Sequence, residues 1–294
     1  MSRIVVLGDL NLDVYATHPD RLPPGAERRS NVWAEAGGSA GTFARVAARQ
    51  GACVTFVGAV GEDLVGDLLI QSLERDGIRP AIKRSPLPSG IILALDQGDD
   101  RAMICSRGAN DGLHERDIQA SLLRKADHLH VSGYAILSDP QRAAAQRAIR
   151  LAADLSLTVS LDPPPANLIS SFGASAFLDA IEGVVWLFPN RSEGQTLTGL
   201  RQEAEIVEAL GGRFSAGALT LGTEGALAWR QEERSHQSPA ATVVANPTGA
   251  GDAFAAGFVT ALLSGRSLTQ ANANGCACAA AHLEVSRSRR TTSP

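Results

Sequence analysis

The stretch NPTGAGDAFAAGF, residues 246–258, places small residues and a carboxylate at the start of an apolar helix pattern. Gly249, Ala250 and Gly251 leave the backbone uncovered, and unpaired N–H groups at a helix N-terminus bind anions. Asp252 beside them would repel an anion. Phosphoryl transfer to a hydroxyl uses both groups, because a carboxylate accepts the hydroxyl proton while N–H donors hold the phosphoryl group. The alternative is a glycine-rich turn in which Asp252 only caps the helix.

Polar residues also follow the first strand pattern, in GDLNLDVY, residues 8–15. Asn11 and Asp13 alternate with leucines, so an extended chain presents both side chains to one face. Such acceptors suit the hydroxyl groups of a polyol, and they are equally typical of the polar side of a half-buried strand. Gly37 and Gly38 precede another helix pattern. They either let main chain approach a ligand closely or form a tight turn.

A further polar group follows the strand pattern VVWLF. PNRSEG, residues 189–194, offers oxygen ligands from Asn190 and Glu193, and Mg²⁺ takes one or two protein carboxylates together with phosphates and water. The same spacing matches a capping box, in which Asn190 caps a helix and Glu193 bonds back to it. Both interpretations stay open from the residues alone.

Two more loops follow strand patterns. TLGTEGA, residues 220–226, contains Thr220, Gly222 and Gly225, and its glycines are suited to border the phosphates of a nucleotide. LDPPP, residues 161–165, places Asp162 at a strand end, where proline prevents the chain from continuing as a helix.

A sheet is needed to bring these loops together. Short apolar runs alternate with helical patterns, which predicts a parallel sheet covered on both faces. The predicted strands are 4–7, 54–57, 128–131, 158–161, 184–187 and 218–221. The predicted helices are 40–50, 63–76, 139–155, 192–210, 250–264 and 268–284.

Two regions interrupt this alternation. Residues 11–36 contain three prolines and no long helix, and residues 79–106 are predicted to form three short strands, at 79–84, 90–95 and 101–105. Both regions are predicted to pair into a small sheet that covers the ligand crevice of the main sheet. The predicted core is then 1–10, 37–78 and 107–294, and the predicted lid is 11–36 and 79–106.

Composition narrows the class of protein. The formal net charge of −4 argues against a nucleic-acid partner, and no apolar run approaches the ~20 residues of a membrane span. The N-terminus lacks a leader pattern. The four cysteines show no paired CxxC spacing and are expected to be reduced thiols of a cytoplasmic protein. The P-loop, GxGxxG and GxSxG motifs are absent.

Together these stretches resemble the ribokinase-like (PfkB) family of carbohydrate and nucleoside kinases. GDLNLDV is similar to the N-terminal strand of the family, residues 37–69 to its first signature, and residues 246–258 to its second. The resemblance implies a three-layer α/β fold with a central, mostly parallel sheet flanked by helices and a small β-sheet lid. It also implies ATP as the phosphoryl donor, with Mg²⁺.

The resemblance implies roles for single residues. Asp252 matches the catalytic base, and residues 249–251 match the anion hole. Glu193, together with Asn190, matches the pair that organises Mg²⁺ and the phosphates. The substrate-side positions are Asn11, Asp13, Gly37, Gly38 and Thr42. The nucleotide-side positions are Asn190, Thr220, Gly222 and Gly225.

Three features depart from the family pattern. Thr42 stands where the family usually has Asn, and its hydroxyl lacks the two donors of an amide. Asn246 stands where the family usually has Asp, and SRSRRTTSP replaces a Gly-Ala after the last helix. The last two departures argue against activation by a monovalent cation.

The sequence therefore predicts ATP-dependent phosphorylation of a hydroxymethyl group of a small sugar, as in ribokinase or fructokinase. A nucleoside kinase is the alternative within the family, with Trp33, Phe43 and Tyr134 as candidates for base stacking among few aromatics (4%). A non-catalytic sugar- or nucleoside-binding protein is the alternative of another class. An open edge of the lid sheet predicts a homodimer through the lid.

Overall fold

The computed structural model describes residues 1–17, 25, 27, 29–97, 100–239 and 248–291. The strands are β1 (Arg3–Leu7), β2 (Asn11–Thr17), β3 (Val32–Gly37), β4 (Cys53–Gly61), β5 (Arg79–Ser85), β6 (Gly90–Gln97), β7 (Asp100–Ser106), β8 (His128–Ser132), β9 (Thr158–Asp162), β10 (Trp186–Leu187), β11 (Ala216–Thr220), β12 (Ala226–Arg230) and β13 (Glu233–Gln237). The α-helices are α1 (Ser39–Arg49), α2 (Leu64–Arg75), α3 (Gln141–Asp154), α4 (Ala166–Phe172), α5 (Ala174–Ala180), α6 (Arg191–Thr198), α7 (Glu203–Gly211), α8 (Ala250–Leu263) and α9 (Leu268–Thr291).

The large sheet has the order β13-β12-β11-β10-β9-β8-β1-β4-β5. Its strands run parallel from β11 to β5, and β12 and β13 are antiparallel at one edge. β1 lies between β4 and β8, so the chain first adds strands on one side of β1 and later on the other. In open α/β sheets the ligand crevice lies outside the carboxyl ends of the strands at such a switch point.

Helices cover both faces of this sheet because side chains of buried strands alternate between two apolar cores. In β1, Val5 and Leu7 contribute to one core, while Ile4 and Val6 contribute to the other. The first core is completed by α3 to α7, and the second by α1, α2, α8 and α9. The predicted three-layer α/β fold with a mostly parallel sheet is confirmed.

The second, smaller sheet has the order β3-β2-β6-β7. The predicted lid also included residues 79–84, and this part of the prediction is wrong. β5 pairs in parallel with β4, from Thr55 with Arg79 to Gly61 with Ser85. The segment β4-α2-β5 is an ordinary crossover, and Ile78 and Ile82 at its end pack into the core beneath α2.

Other elements differ from the sequence prediction in extent. The predicted helix 192–210 is two helices, because Gly199 ends α6 in a left-handed conformation with φ of 73°. The strand predicted at 184–187 is only Trp186–Leu187, and α4, α5, β12 and β13 were not predicted. The last helix continues to Thr291 instead of ending near residue 284. Within the described ranges, no helix combines the length and the apolar character that crossing a membrane requires.

Candidate active site

Asp252 lies in the first turn of α8, beside the carboxyl ends of β8 and β9. The residue that caps this helix is Gly249, which is left-handed with φ of 80° and makes no side-chain capping bond. Asp252 therefore does not act as the N-cap, and that alternative is wrong. The N–H groups of the first turn and the buried carboxylate of Asp252, which is 7% exposed, therefore lie close together at the start of α8.

The carboxylate of Asp252 accepts a hydrogen bond of 2.6 Å from the hydroxyl of Ser39. It also shares a hydrogen bond with the carboxyl group of Asp162, the last residue of β9. Burial raises the pKa of Asp252 to about 6, and the bonds from Ser39 and Asp162 oppose that rise. The bonds from Ser39 and Asp162 thus favour the ionised form of Asp252, which is the form that can accept a proton.

Three carboxylates influence one another at this edge of the sheet. Burial raises the pKa of Asp162, and the charges of Asp252 and Glu193 raise it further. Burial also raises the pKa of Glu193 to about 8, with a contribution from Asp252, although bonds from Asn190 act in the opposite direction. A cation bound nearby would relieve this repulsion, so the donor set fits a hard divalent ion with oxygen ligands.

Asn190 and Glu193 form the capping box of α6. The side chain of Asn190 accepts a bond of 3.0 Å from the backbone N–H of Glu193, and the backbone N–H of Asn190 donates to Glu193 Oε2 at 2.8 Å. Asn190 Nδ2 also donates to Glu193 Oε1 at 2.6 Å. Within the described residues, no group of three or more His, Cys, Asp or Glu side chains is arranged to hold a metal ion.

The residues predicted to lie on the nucleotide side meet at the ends of β10 and β11. Asn190 and Thr220 form an isolated parallel bridge, and the turn from Gly222 to Gly225 connects β11 to β12. Gly225 has φ of 90°, and a Cβ there would lie 1.9 Å from the carbonyl oxygen of Gln237. The turn therefore depends on glycine for its shape.

The residues predicted to lie on the substrate side are found on the other side of Asp252, where β1 leads into β2. Asn11 is buried and accepts a bond of 2.7 Å from Asn110. Gly38, with φ of 91°, begins α1 and closely approaches the carbonyl oxygen of Asp9. Thr42 follows on the same helix, and its methyl group would lie 3.3 Å from a Cβ at Gly249. The structure thus brings Thr42 beside the start of α8.

Asp13 has the properties of a ligand-binding carboxylate. Its Oδ1 atom is buried and has no hydrogen-bond partner in the described structure. Burial raises the pKa of Asp13 to about 7, and the charge of Glu35 on the neighbouring strand adds to the rise. A Cβ at Gly37 would lie 2.0 Å from Asp13 Oδ2, so this glycine makes the space that the carboxylate occupies.

A family model of pfkB family carbohydrate kinases matches residues 1–293. The chain belongs to this family. A ribokinase of Haemophilus influenzae is 27% identical over 94% of this chain and 90% of that protein. An ATP-dependent ribose-1-phosphate kinase of Halopiger xanaduensis is 30% identical over 99% of this chain and 96% of that protein. The predicted enzyme class, an ATP-dependent carbohydrate kinase, is confirmed at the level of the family.

Solved structures show the same fold. Adenosine kinase from Sinorhizobium meliloti matches with a TM-score of 0.84 and 24% identity, over 95% of this chain and 92% of that chain. A structure from E. coli, described as a ribokinase II in complex with ATP and Mg²⁺, matches with a TM-score of 0.85 and 21% identity, over 95% and 92% of the two chains.

In this pfkB family member, three residues that no sequence motif indicated lie near the candidate site. Arg107, directly after β7, forms an ion pair of 2.8 Å with the buried carboxylate of Asp9, and Gln141 donates to the other oxygen of Asp9 at 2.8 Å. Asn110 accepts from the backbone N–H of Leu10 at 3.0 Å. These contacts join two of the four chain segments that connect the small sheet to the core, the one before β2 and the one after β7. In the sequence, the stretch RGAN, residues 107–110, shortly after the last predicted lid strand, is the pattern that could have indicated Arg107 and Asn110.

Of the two substitutions that depart from the family pattern, the structure describes Thr42 but not Asn246. Thr42 lies beside Gly249, whereas Asn246 is outside the described residues.

Phe43, one candidate for base stacking, is fully buried and stacks on His130 in the core. Phe43 is therefore excluded as a ligand contact.

Proposed function

We propose that this pfkB family member phosphorylates a hydroxymethyl group of a small, uncharged sugar, with ATP as the phosphoryl donor. The observation that carries this proposal is the position of Asp252. It is a buried carboxylate at a helix start whose N-cap is a glycine. In the sheet order, Asn11 after β1 lies on one side of it, and Asn190 and Thr220 at the ends of β10 and β11 lie on the other.

In the proposed reaction, Asp252 accepts the proton of the sugar hydroxyl as that oxygen bonds to the γ-phosphorus of ATP. The bond from this phosphorus to the oxygen that bridges it to the β-phosphate breaks, and ADP leaves. The N–H groups of residues 249–252 hold the phosphoryl oxygens, in line with the electrostatic character of phosphoryl transfer. Glu193, oriented by Asn190, lies on the side where Mg²⁺ would be held with the phosphates and water. Bound Mg²⁺ would neutralise phosphate charge. The E. coli structure with ATP and Mg²⁺ supports both ligands.

The charges on the substrate side favour a neutral sugar. Asp13 faces the charge of Glu35, and the cation that most affects it, Arg45, is engaged by Asp76 at 3.1 Å. Arg107 is similarly held by Asp9. A phosphorylated sugar or a sugar acid would therefore bring its own negative charge close to Asp13 and Glu35. This argument favours the uncharged members of the family's substrates over ribose 1-phosphate.

A nucleoside remains the second candidate because of one observation. Tyr15 and Trp33 stack with ring centroids 5.2 Å apart, and their strand positions share a face with Asp13. An aromatic pair beside a hydroxyl-binding carboxylate is suited to a base with its ribose. The adenosine kinase fold neighbour is consistent with this candidate.

A coupled ADP-release screen tests the proposed function. It compares D-ribose, D-fructose, adenosine, ribose 1-phosphate and a sugar acid, each with ATP and Mg²⁺. We expect turnover with a neutral sugar and little with either anion. Turnover confined to adenosine would favour the nucleoside kinase. No turnover, with an unfolding temperature that still rises on sugar addition, would favour the non-catalytic binding protein.

We also propose that a second copy of the chain covers the small sheet, forming a homodimer through the lid. The sheet face opposite Asp13 is apolar. Apart from Ser106 at the end of β7, its described side chains are Leu12, Val14, Ala16, Val32, Ala34, Ala36, Ile91, Leu93, Leu95, Ala102 and Ile104. Val32 and Ile104 are 63% and 61% exposed on this face, and exposed apolar sheet faces of this kind mark interaction sites.

Light scattering at micromolar concentration tests the dimer. We expect the mass of two chains for the wild type, and the mass of one chain for Ile104→Lys, because a buried lysine would oppose the contact between the sheets. Lys substitution at exposed Leu64, on α2 and outside this face, serves as the control. A monomeric wild type would refute the proposal.

A further inference from the structure

A chain of two hydroxyl groups leads from the sheet to Asp252. Ser132 donates to the Oγ atom of Ser39 at 3.1 Å, and Ser39 donates to Asp252 Oδ1 at 2.6 Å. We infer that Ser39 is a positioning residue for the carboxylate of Asp252 and that Ser132 acts through Ser39. The inference rests on the proposed function, in which Asp252 is the base.

The elements of the fold deliver both serines to this point. Ser39 is the first residue of α1, which starts at Gly38 without a capping side chain. Ser132 is the last residue of β8 and is the register partner of Asp162 on β9. Adjacent strands therefore hold the same carboxylate, Asp162 by a direct bond and Ser132 through Ser39. Side chains from two strands and two helix starts meet at the switch point between β1 and β8.

Close packing at Gly8 supports this arrangement independently. Gly8 follows β1, and a Cβ at this position would lie 2.6 Å from the Cβ of Ala40 and 2.7 Å from the Cβ of Ser132. Any other residue would push α1 and β8 apart. The missing side chain therefore lets the start of α1 approach the end of β8, which is what brings Ser39 within hydrogen-bond distance of Ser132.

The direction of the hydroxyl protons explains why two serines are used. A hydroxyl donates one proton and accepts through its lone pairs. Because the oxygen of Ser39 accepts the proton of Ser132, its own proton is directed to Asp252. That bond stabilises the ionised carboxylate against the cost of burial, and it fixes Oδ1 so that the carboxylate keeps one orientation.

Kinetics of serine variants test the inference, with D-ribose as the first probe and the most active compound of the screen as the second. Ser39→Ala should lower kcat by about tenfold or more, the factor that corresponds to one hydrogen bond to a charged group. KM for both substrates should be nearly unchanged. Ser39→Thr, which keeps the hydroxyl, should restore most of kcat.

A double-mutant cycle identifies the route from Ser132. Ser132→Ala alone should lower kcat about threefold, as expected for one neutral hydrogen bond, but it should cost nothing further when Ser39 is already alanine. Ser267→Ala is the matched control. Ser267 lies at a helix start, as Ser39 does, and its hydroxyl accepts from the backbone N–H of Gln270 at 3.3 Å. It lies beyond the other end of α8, so kcat of Ser267→Ala should equal that of the wild type.

Each outcome has a distinct meaning when Asp252→Asn is measured beside these variants. If Asp252→Asn is inactive while Ser39→Ala keeps the kcat of the wild type, the positioning role is refuted and the proposed function stands. If Asp252→Asn keeps full turnover, both are refuted. If the losses from Ser39→Ala and Ser132→Ala multiply in the double variant, Ser132 does not act through Ser39.

Discussion

Asp252→Asn is expected to lower kcat by at least about 10²- to 10⁴-fold, the usual contribution of a positioned general base, without loss of stability. The amide that replaces the carboxylate can still accept from Ser39 and can donate to Asp162. It also removes a charge that burial disfavours, since burial raises the pKa of Asp252 to about 6. The unfolding temperature should therefore match or exceed that of the wild type. Sugar-dependent ADP release and thermal unfolding measure the two effects.

The matched control for this variant is Asp67→Asn. Asp67 also lies in the first turn of a helix, α2, but its side chain is 53% exposed and pairs with Arg84. Its kcat should stay at the wild-type value, because exposed ion pairs contribute little and Asp67 is not part of the site. A variant at Asp252 that unfolds earlier and loses activity in proportion would show a structural role and contradict the proposal.

The edge of the sheet that carries the site could be predicted from the sequence, because the carboxyl ends of parallel strands meet at one edge. Asn11, Asp162, Asn190 and Thr220 each begin or follow a strand pattern, and the structure places them along that edge. The pairing of residues 79–84 was open to two interpretations. The order of strand 54–57, helix 63–76 and strand 79–84 favours a parallel crossover, whereas the two short strands that follow favour the small sheet. The packing of Ile78 and Ile82 into the core beneath α2 decides for the crossover.

The sequence pattern also could not predict which residues of the site contact one another. Ser39 and Asp252 are 213 positions apart in the chain, so no local periodicity relates them. Asn190 and Glu193 show a different limit, because the same oxygen atoms serve a capping box and a magnesium site. The structure shows the capping box, and each oxygen of Glu193 keeps a lone pair for a further partner. The two interpretations are therefore compatible.

Gly249→Ala should lower kcat by about 10²-fold or more, the loss that follows from misplacing one donor of an anion hole. Gly249 has φ of 80°, a left-handed conformation that costs a residue with a Cβ roughly 1–2 kcal/mol. The added Cβ would also lie 2.6 Å from Nε2 of His282, which contacts the carbonyl oxygen of Thr248 at 3.2 Å. Either the loop or the imidazole must move, and movement of the loop turns the N–H groups away from the phosphoryl group.

Gly265→Ala separates this effect from backbone strain. Gly265 follows the other end of α8 with φ of 78°, and a Cβ there meets no atom within 4 Å. Both variants should lose free energy of unfolding, measured by denaturant titration, and Gly249→Ala should lose more because of its contact with His282. Only Gly249→Ala should lose turnover. His282→Ala added to Gly249→Ala should recover part of kcat, because it removes the close contact and leaves the strain. Equal turnover of the two glycine variants would show that the backbone at residue 249 does not position the transferred group.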